Sequence, residues 1–308
     1  MNPFPSKLLL FGEYSVLLGS PALGWPFHRF CGSLRMPGES AQESEPVMEE
    51  SNRKLVVLSD YLLAGREYFG EWLDLARLSA DVARGLFFLS NIPQHYGLGS
   101  SGALCAALYH RYRIEEAADD PVTLKARFAR MESFFHGTSS GFDPLVSFLG
   151  EPVLLRNRKI SICGDSPHLQ AGRLGATLFL VDSGEPCPTG SLVTSFLGEY
   201  APGGKVSEKG LAFVTLVENT IGRFLSGDGE TLMTEVVKIS RFQLDMLPNL
   251  IPGPLRAGWN DGLSSGIFAL KLCGSGGGGY AFCFTRSPEE TREYFLDQGI
   301  ALIRVADP

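Results

Sequence analysis

Gly97-Leu98-Gly99-Ser100-Ser101-Gly102, running into Ala103-Leu104-Cys105-Ala106-Ala107-Leu108-Tyr109, is the stretch on which the reading of this 308-residue chain turns. A glycine- and serine-rich turn feeds a segment rich in Ala and Leu, the composition of a buried helix over Ala103–Tyr112. Such a helix start gathers backbone N–H groups and the positive end of the helix dipole, which together make an anion site. Gly97 and Gly102 have the G-x-x-x-x-G spacing of a P-loop, but Ala103 and Leu104 stand where Lys and Ser/Thr should follow. A P-loop NTPase is therefore excluded. A phosphate cradle whose cation comes from elsewhere is retained, in preference to a simple serine N-cap.

Downstream, Leu124, Phe128, Met131 and Phe135 step at helical spacing, and that helix stops at His136-Gly137. The run His136-Gly137-Thr138-Ser139-Ser140-Gly141-Phe142-Asp143 comes next. Its G-x-S-x-G spacing would suit the nucleophile elbow of a serine hydrolase using Ser139 with His168 and an aspartate. That elbow must follow a strand and open a helix. Here the preceding segment has helical period, and Pro144 is expected to break any helix opened by the run, so the hydrolase is the distant alternative. The other feature is an acid, Asp143, at the end of a glycine-rich turn. Glu132 lies one helical turn before His136 and can face the same cleft. Two carboxylates beside a phosphate cradle suggest one metal ligand and one general base. His136 has no second histidine at ligand spacing and reads as a structural hydrogen-bond donor.

Upstream, Leu75, Leu78, Val82, Leu86 and Leu89 predict an amphipathic helix over 73–88. The polar stretch Met36–Lys54, with Glu39, Glu43, Glu45, Glu49 and Glu50, reads as a solvated surface loop. Lys7–Leu18 opens as an apolar strand, turns through Gly12-Glu13 and enters a second apolar segment. Val153–Leu155 and Ile160–Ile162 form a hairpin around residues 156–159, and Leu178–Val181 is a strand ending at Asp182-Ser183-Gly184. Helices are expected near 206–225 and 230–246. The strands Ala269–Leu272 and Tyr280–Phe284 flank a third glycine loop, Gly274-Ser275-Gly276-Gly277-Gly278-Gly279. A dinucleotide fingerprint would open a helix, whereas this loop opens a strand. It fits a close backbone approach to a ligand or another loop. A domain boundary is placed near Gly172–Gly175.

Composition narrows the function classes. With 27 basic and 34 acidic residues the net charge is -7, and no basic run is present, which argues against a nucleic-acid binder. There is no 18-residue apolar stretch and no signal-like N-terminus, so the expectation is a cytoplasmic protein without a membrane span. None of the six cysteines forms a CxxC pair, and they read as free thiols.

Taken in order, the three loops resemble the GHMP kinase family (galacto-, homoserine, mevalonate and phosphomevalonate kinases). Pro5-Ser6-Lys7 with Gly12-Glu13-Tyr14-Ser15-Val16 resembles the first family motif. Pro93 to Ala103, with Gly97-Leu98-Gly99-Ser100-Ser101-Gly102 at its core, resembles the second, the ATP phosphate loop. Lys271 to Gly279 resembles the third, so the likeness spans the chain. Glu132 with His136–Asp143 is most similar to the ExxxHGxxSGxD pattern of the mevalonate kinase branch. Tyr14 stands where that branch often has His, and Cys187 where Arg is frequent.

The resemblance implies an α+β fold in two domains, 1–172 and 173–308, with an ATP cleft between them. The first would be like ribosomal protein S5 domain 2 and the second ferredoxin-like. It implies a kinase that uses ATP and Mg²⁺ on a small-molecule alcohol, mevalonate first, with a sugar, homoserine or phosphomevalonate as the alternative acceptor. By the same resemblance Asp143 is the catalytic base and Lys7 sits beside the reacting hydroxyl. Ser101 and Glu132 bind Mg²⁺. Pro93, Gly97, Leu98, Gly99, Ser100, Ser101, Gly102 and Ala103 hold the nucleotide. Glu13, Tyr14, His136, Gly274, Ser275 and Gly276 lie on the substrate side. A monomer or homodimer is expected. A nucleotide-binding protein without catalysis is a further class, disfavoured because a pure binder needs no base.

Overall fold

The structure, a computed structural model, describes residues 3–39, 44–114, 120–163, 176–186 and 190–305. The architecture is α+β, and the chain divides into two compact units. One contains the chain through Lys7, Trp25–Pro93 and Leu98–Glu151. The other contains Leu8–Gly24, Gln94–Gly97 and the chain from Pro152 onward. The expected boundary at Gly172–Gly175, His168 and Cys187 lie outside the described residues.

Two strands, β1 (Phe4–Phe11) and β2 (Ala22–Arg35), each run through both units. In the first unit, the end of β2 pairs antiparallel with β3 (Phe87–Ser90) in the register Gly32↔Ser90 to Arg35↔Phe87. The helices α1 (Glu45–Ala64), α2 (Arg66–Phe69), α3 (Leu75–Ala83), α4 (Ser100–Tyr112), α5 (Pro121–His136) and α6 (Phe142–Leu149) complete it. Helix α5 starts where local chemistry dictates. Asp120 accepts hydrogen bonds from the N–H groups of Val122 and Thr123, Pro121 occupies the first turn, and Gly137 (φ 72°) ends the helix. Leu124, Phe128 and Met131 form its buried stripe, and the Phe128 ring meets that of Tyr109 in α4 and that of Phe148 in α6.

The structure corrects three expectations. The acidic stretch 36–54 is not one long loop, because α1 begins at Glu45 with Pro46 in its first turn. The helix becomes legible only past Lys54, where Leu55, Leu58 and Leu62 supply the buried stripe; the glutamates are its solvated half. The helix predicted over 73–88 ends at Ala83. Gly85 adopts φ 91°, and the residues beyond it are drawn into β3 by pairing with β2, which overrides the helical period. Finally, Pro144 does not break a helix. It is the third residue of α6, where its missing N–H would have no partner anyway.

The second unit holds the hairpin of β4 (Val153–Arg156) and β5 (Lys159–Ile162), turning through Asn157 and Arg158, both at positive φ. The start of β2 pairs with β4. A separate antiparallel sheet has the order β7-β8-β6-β9, built from β6 (Thr177–Asp182), β7 (Phe268–Leu272), β8 (Tyr280–Thr285) and β9 (Leu302–Arg304). Around it lie α7 (Gly190–Tyr200), α8 (Glu208–Ser226), α9 (Gly229–Met246), α10 (Arg256–Ser265) and α11 (Pro288–Asp297). Every residue of β7 and β8 is buried. Phe213, Val217, Ile221 and Phe224 of α8, with Val236 and Ile239 of α9, supply much of the core of this unit. No described helix is long and apolar enough to cross a membrane.

Candidate active site

In the first unit, the N-terminus of α4, the end of α5, the start of α6 and the first residues of β1 contribute one cluster of polar side chains. Gly99 precedes α4 in the left-handed conformation (φ 71°) and gives it no side-chain cap. Ser100 and Ser101 are the first helical residues, so neither serine is the N-cap. The first-turn N–H groups therefore keep the anion-attracting character of an uncapped helix start. Gly102 faces α6: a Cβ there would lie 2.9 Å from Pro144 N and 3.0 Å from Asp143 C. Glycine at this position lets the two helix starts approach.

Asp143, in the first turn of α6, lies with Oδ2 2.7 Å from Lys7 Nζ. Lys7 is 6% exposed at its side chain and Asp143 32%, so the carboxylate stays open while the ammonium is enclosed. The Lys7 backbone N–H donates to Leu98 O at 2.9 Å, which ties β1 to the loop that precedes α4. A Cβ on Gly99 would be 3.4 Å from Asp143 Oδ2, placing the carboxylate against the glycine turn itself.

Glu132 is buried on α5. Ser101 Oγ donates to its Oε1 at 3.0 Å and lies 3.2 Å from His136 Nε2. Ser139 Oγ donates to Glu132 Oε2 and accepts the Gly141 N–H at 2.9 Å. Burial, reinforced by the charge of Asp143, pushes the Glu132 carboxyl up to about 7; Ser139, Ser101 and Lys7 pull the other way. Such a carboxyl is poised between its two forms at neutral pH. A cation close by would secure the charged form. The donor set of one carboxylate and neighbouring hydroxyls suits Mg²⁺, which takes few protein oxygens and completes its shell with phosphate and water. No group of three or more His, Cys, Asp or Glu side chains able to hold a metal occurs among the described residues, so an all-protein cage is not available there.

The second unit assembles a different cluster around the third glycine loop. Glu13 and Lys271 form an ion pair at 2.5 Å, with side chains 3% and 1% exposed. Lys271 Nζ also donates to Leu272 O at 2.8 Å and sits 4.8 Å from the Phe282 ring centroid. Burial pushes the Lys271 ammonium down, and Glu13 opposes the shift. Tyr14 holds φ at 61°, which for a bulky residue costs about 1–3 kcal/mol. Its hydroxyl donates to Ser275 O at 2.5 Å. Gly97 abuts Cys273 and Gly274, with a Cβ reaching within 3.2 Å of Cys273 O, a close approach that glycine permits.

The residues anticipated from sequence therefore fall into two groups. Lys7, Leu98, Gly99, Ser100, Ser101, Gly102, Glu132, His136 and Asp143 come together in the first unit. Glu13, Tyr14, Gly97, Gly274, Ser275 and Gly276 lie in the second. Pro93 is half-buried just past β3, and Ala103 is wholly buried in the first turn of α4, where it offers only its backbone. Two participants are not legible as site partners in the sequence. Ser139 reads there only as a nucleophile, whereas its hydroxyl is engaged with Glu132. The G-x-S-x-G run follows α5 rather than a strand, which removes the elbow geometry. Lys271, part of the third motif, is the partner of Glu13. A lone lysine in the apolar strand Phe268-Ala269-Leu270-Lys271-Leu272 is the signal that points to a buried pair.

The fold is that of the GHMP kinases, and residues 62–151 match the family model described as GHMP kinases N terminal domain. Over nearly its whole length the chain is also similar to a mevalonate kinase, that of Thermococcus onnurineus. The two are 26% identical over 320 residues, covering 94% of this chain and 89% of the relative. Among solved structures, the mevalonate kinase of Methanococcus jannaschii superposes with a TM-score of 0.66 at 15% identity, covering 99% of this chain and 98% of that one. The phosphomevalonate kinase of Streptococcus pneumoniae, solved with phosphomevalonate and AMPPNP, gives 0.65 at 15% identity and 98% coverage of each chain. At these identities the structural likeness speaks for the fold, and it does not separate the two acceptors.

Proposed function

We propose that this chain is an ATP- and Mg²⁺-dependent kinase that transfers the γ-phosphoryl group to the hydroxyl of a small hydroxy acid, with mevalonate as the acceptor. The observation that carries the reading is the Lys7–Asp143 pair, 2.7 Å apart, set against the uncapped glycine turn at the start of α4. Phosphoryl transfer asks a protein for positioning and charge neutralisation more than for covalent chemistry. Backbone N–H groups in the first turn of α4 hold the phosphates. The partly open Asp143 carboxylate accepts the proton of the attacking alcohol, and Lys7 orients that hydroxyl and offsets the negative charge gathering around it. Ser101 and Glu132 would hold Mg²⁺, which when bound would polarise phosphate oxygens. The mevalonate kinase relatives support mevalonate ahead of the other alcohols.

The direct test is coupled ADP release with Mg-ATP over mevalonate, phosphomevalonate, homoserine, galactose and other sugars. Turnover confined to mevalonate is expected. Turnover on another alcohol alone would keep the chemistry and move the acceptor. No turnover on any of them, with ATP still bound, would overturn the kinase assignment for these substrates.

A further inference from the structure

Glu132, the acid read above as a cation ligand, is held at both of its carboxylate oxygens. Ser101 Oγ donates to Oε1 at 3.0 Å, and Ser139 Oγ donates to Oε2 at 2.5 Å. The two serines stand in different places. Ser101 is in the first turn of α4, beside the glycine turn proposed to hold the phosphates. Ser139 lies in the connection between α5 and α6, and no role in a phosphoryl transfer is written in its sequence position.

The Ser139 hydroxyl is itself fixed. The Gly141 N–H donates to Ser139 Oγ at 2.9 Å, and the hydroxyl proton goes to Glu132. Gly141 has little freedom to yield. It holds φ at 70°, and a Cβ there would lie 2.1 Å from Lys125 O and 2.6 Å from Ala129 N, so its backbone rests directly on α5. Gly141 is also the residue that precedes α6, whose first turn carries Asp143. A chain of contacts therefore runs from the start of α6 through Ser139 to the second oxygen of Glu132, all of it within the first unit.

The last torsion of a glutamate side chain is soft, so an unheld carboxylate presents either oxygen over a broad range of angles. Here Oε2 is committed to Ser139, and Oε1 is left to Ser101, the other proposed ligand. Hydrogen bonds of this kind orient a ligating carboxylate, and losing one costs about 10–100-fold in metal affinity.

We propose that Ser139 is a positioning residue: by occupying Glu132 Oε2 it turns Oε1 toward Ser101, so that the two oxygens serve one divalent cation. The inference rests on the reading of Ser101 and Glu132 as Mg²⁺ ligands given above, and it deepens that reading.

Ser139→Ala removes the hydroxyl. Ser139→Thr keeps it, and the cavity of about 480 Å³ that Ser139 borders, together with Ala126 and Ala129 of α5 and Tyr68 of α2, leaves room for the added methyl group. Binding of Mn²⁺, a paramagnetic stand-in for Mg²⁺, is measured by electron paramagnetic resonance on each chain alone and with a non-hydrolysable ATP analogue. Magnesium titrations of turnover and urea unfolding accompany it. In Ser139→Ala the Mn²⁺ dissociation constant should rise about tenfold, and the Mg²⁺ needed for half-maximal activity should rise with it. At saturating Mg²⁺, kcat should stay within about threefold of wild type, because the ligands themselves remain. Ser139→Thr should restore both metal readings to within about threefold of wild type. A lower resistance to urea in Ser139→Ala with unchanged Mn²⁺ binding would make the serine merely structural and overturn the inference. Equal weakening of Mn²⁺ binding in the two variants overturns it as well, since the hydroxyl would not then be the cause. So does a fall in kcat at saturating Mg²⁺ with unchanged Mn²⁺ affinity, which would place the effect on the turn before Asp143. A wild-type chain that binds no Mn²⁺ in either state overturns the inference together with the metal reading. A wild-type chain that binds Mn²⁺ but phosphorylates none of the alcohols fails the kinase reading alone, and the Mn²⁺ comparison still decides the role of Ser139.

Discussion

Lys7 Nζ and Asp143 Oδ2 lie 2.7 Å apart, although one residue sits in the first strand and the other in the first turn of α6. The pair is asymmetric: the cation is enclosed and the carboxylate is partly open. That arrangement suits a base that must meet a substrate proton while its charge is balanced from behind. Replacing Asp143 by Asn keeps the shape and removes the proton acceptor. In Asp143→Asn, kcat should fall at least ~100-fold, with ATP affinity changed by less than about twofold because the glycine turn proposed to hold the phosphates is intact. Steady-state kinetics together with ATP calorimetry check this, and near-normal turnover would remove Asp143 from the role.

Glu132 makes a prediction about pH. Its carboxyl is raised in the fold, from 4.5 to about 7. Between those values the native state keeps a proton that the unfolded chain has released. Stability of the metal-free protein should therefore fall as pH rises from about 4.5 to 7 and then level off, by up to about 3 kcal/mol from this group. Glu132→Gln should flatten that slope. Chemical denaturation across this pH range, with chelator present, reads it; an equal slope in both chains would contradict the assignment.

The same substitution bears on the metal. With Glu132 lost, Ser101 remains but the charged oxygen does not. The Mg²⁺ concentration needed for half-maximal activity should rise at least about tenfold. An unchanged magnesium titration would make Glu132 a structural residue.

Lys271 and Glu13 test the cost of a buried charge. Lys271→Met leaves the Glu13 carboxylate enclosed without that ion partner and should destabilise the fold by about 3–5 kcal/mol. The double variant Lys271→Met, Glu13→Gln removes both charges and should recover at least half of that loss. Thermal or urea unfolding of the two chains distinguishes the outcomes, and equal stabilities would mean the pair is not coupled.

Gly102 carries a packing prediction. A methyl group at this position would press on the backbone of Pro144 and Asp143, which cannot yield as a flexible side chain does. Gly102→Ala should force α4 and α6 apart, lowering stability by about 1–3 kcal/mol. Because Asp143 moves with α6, kcat should fall as well. Wild-type turnover in a folded Gly102→Ala chain would show that the spacing of the two helices is not critical.

Much of this molecule is written in short stretches of sequence. The glycine turn before α4, the capped start of α5 at Asp120, the hairpin through Asn157 and Arg158, and the third glycine loop depend on φ preferences, caps and apolar period that act over a few residues. The candidate base and metal ligand are legible for a related reason: acids flanking a glycine-rich turn have few structural uses. The misread elements are those where local signals end too soon. Helix α1 shows its apolar stripe only beyond the acidic run, and β3 takes its form from β2.

Which side chains meet is a separate matter. That Lys7 reaches Asp143, that Lys271 answers Glu13 and that Tyr14 closes on Ser275 depend on packing accumulated across the whole chain, and no window of neighbouring residues contains them. The altered acidity of Glu132 has the same origin. A glutamate in sequence is an ordinary acid; taken out of water beside a second carboxylate, it holds its proton up to about pH 7. Local chemistry therefore sets the loops and most of the helices, while desolvation and long-range pairing, which exist only once the chain has closed on itself, set the charges of the candidate site.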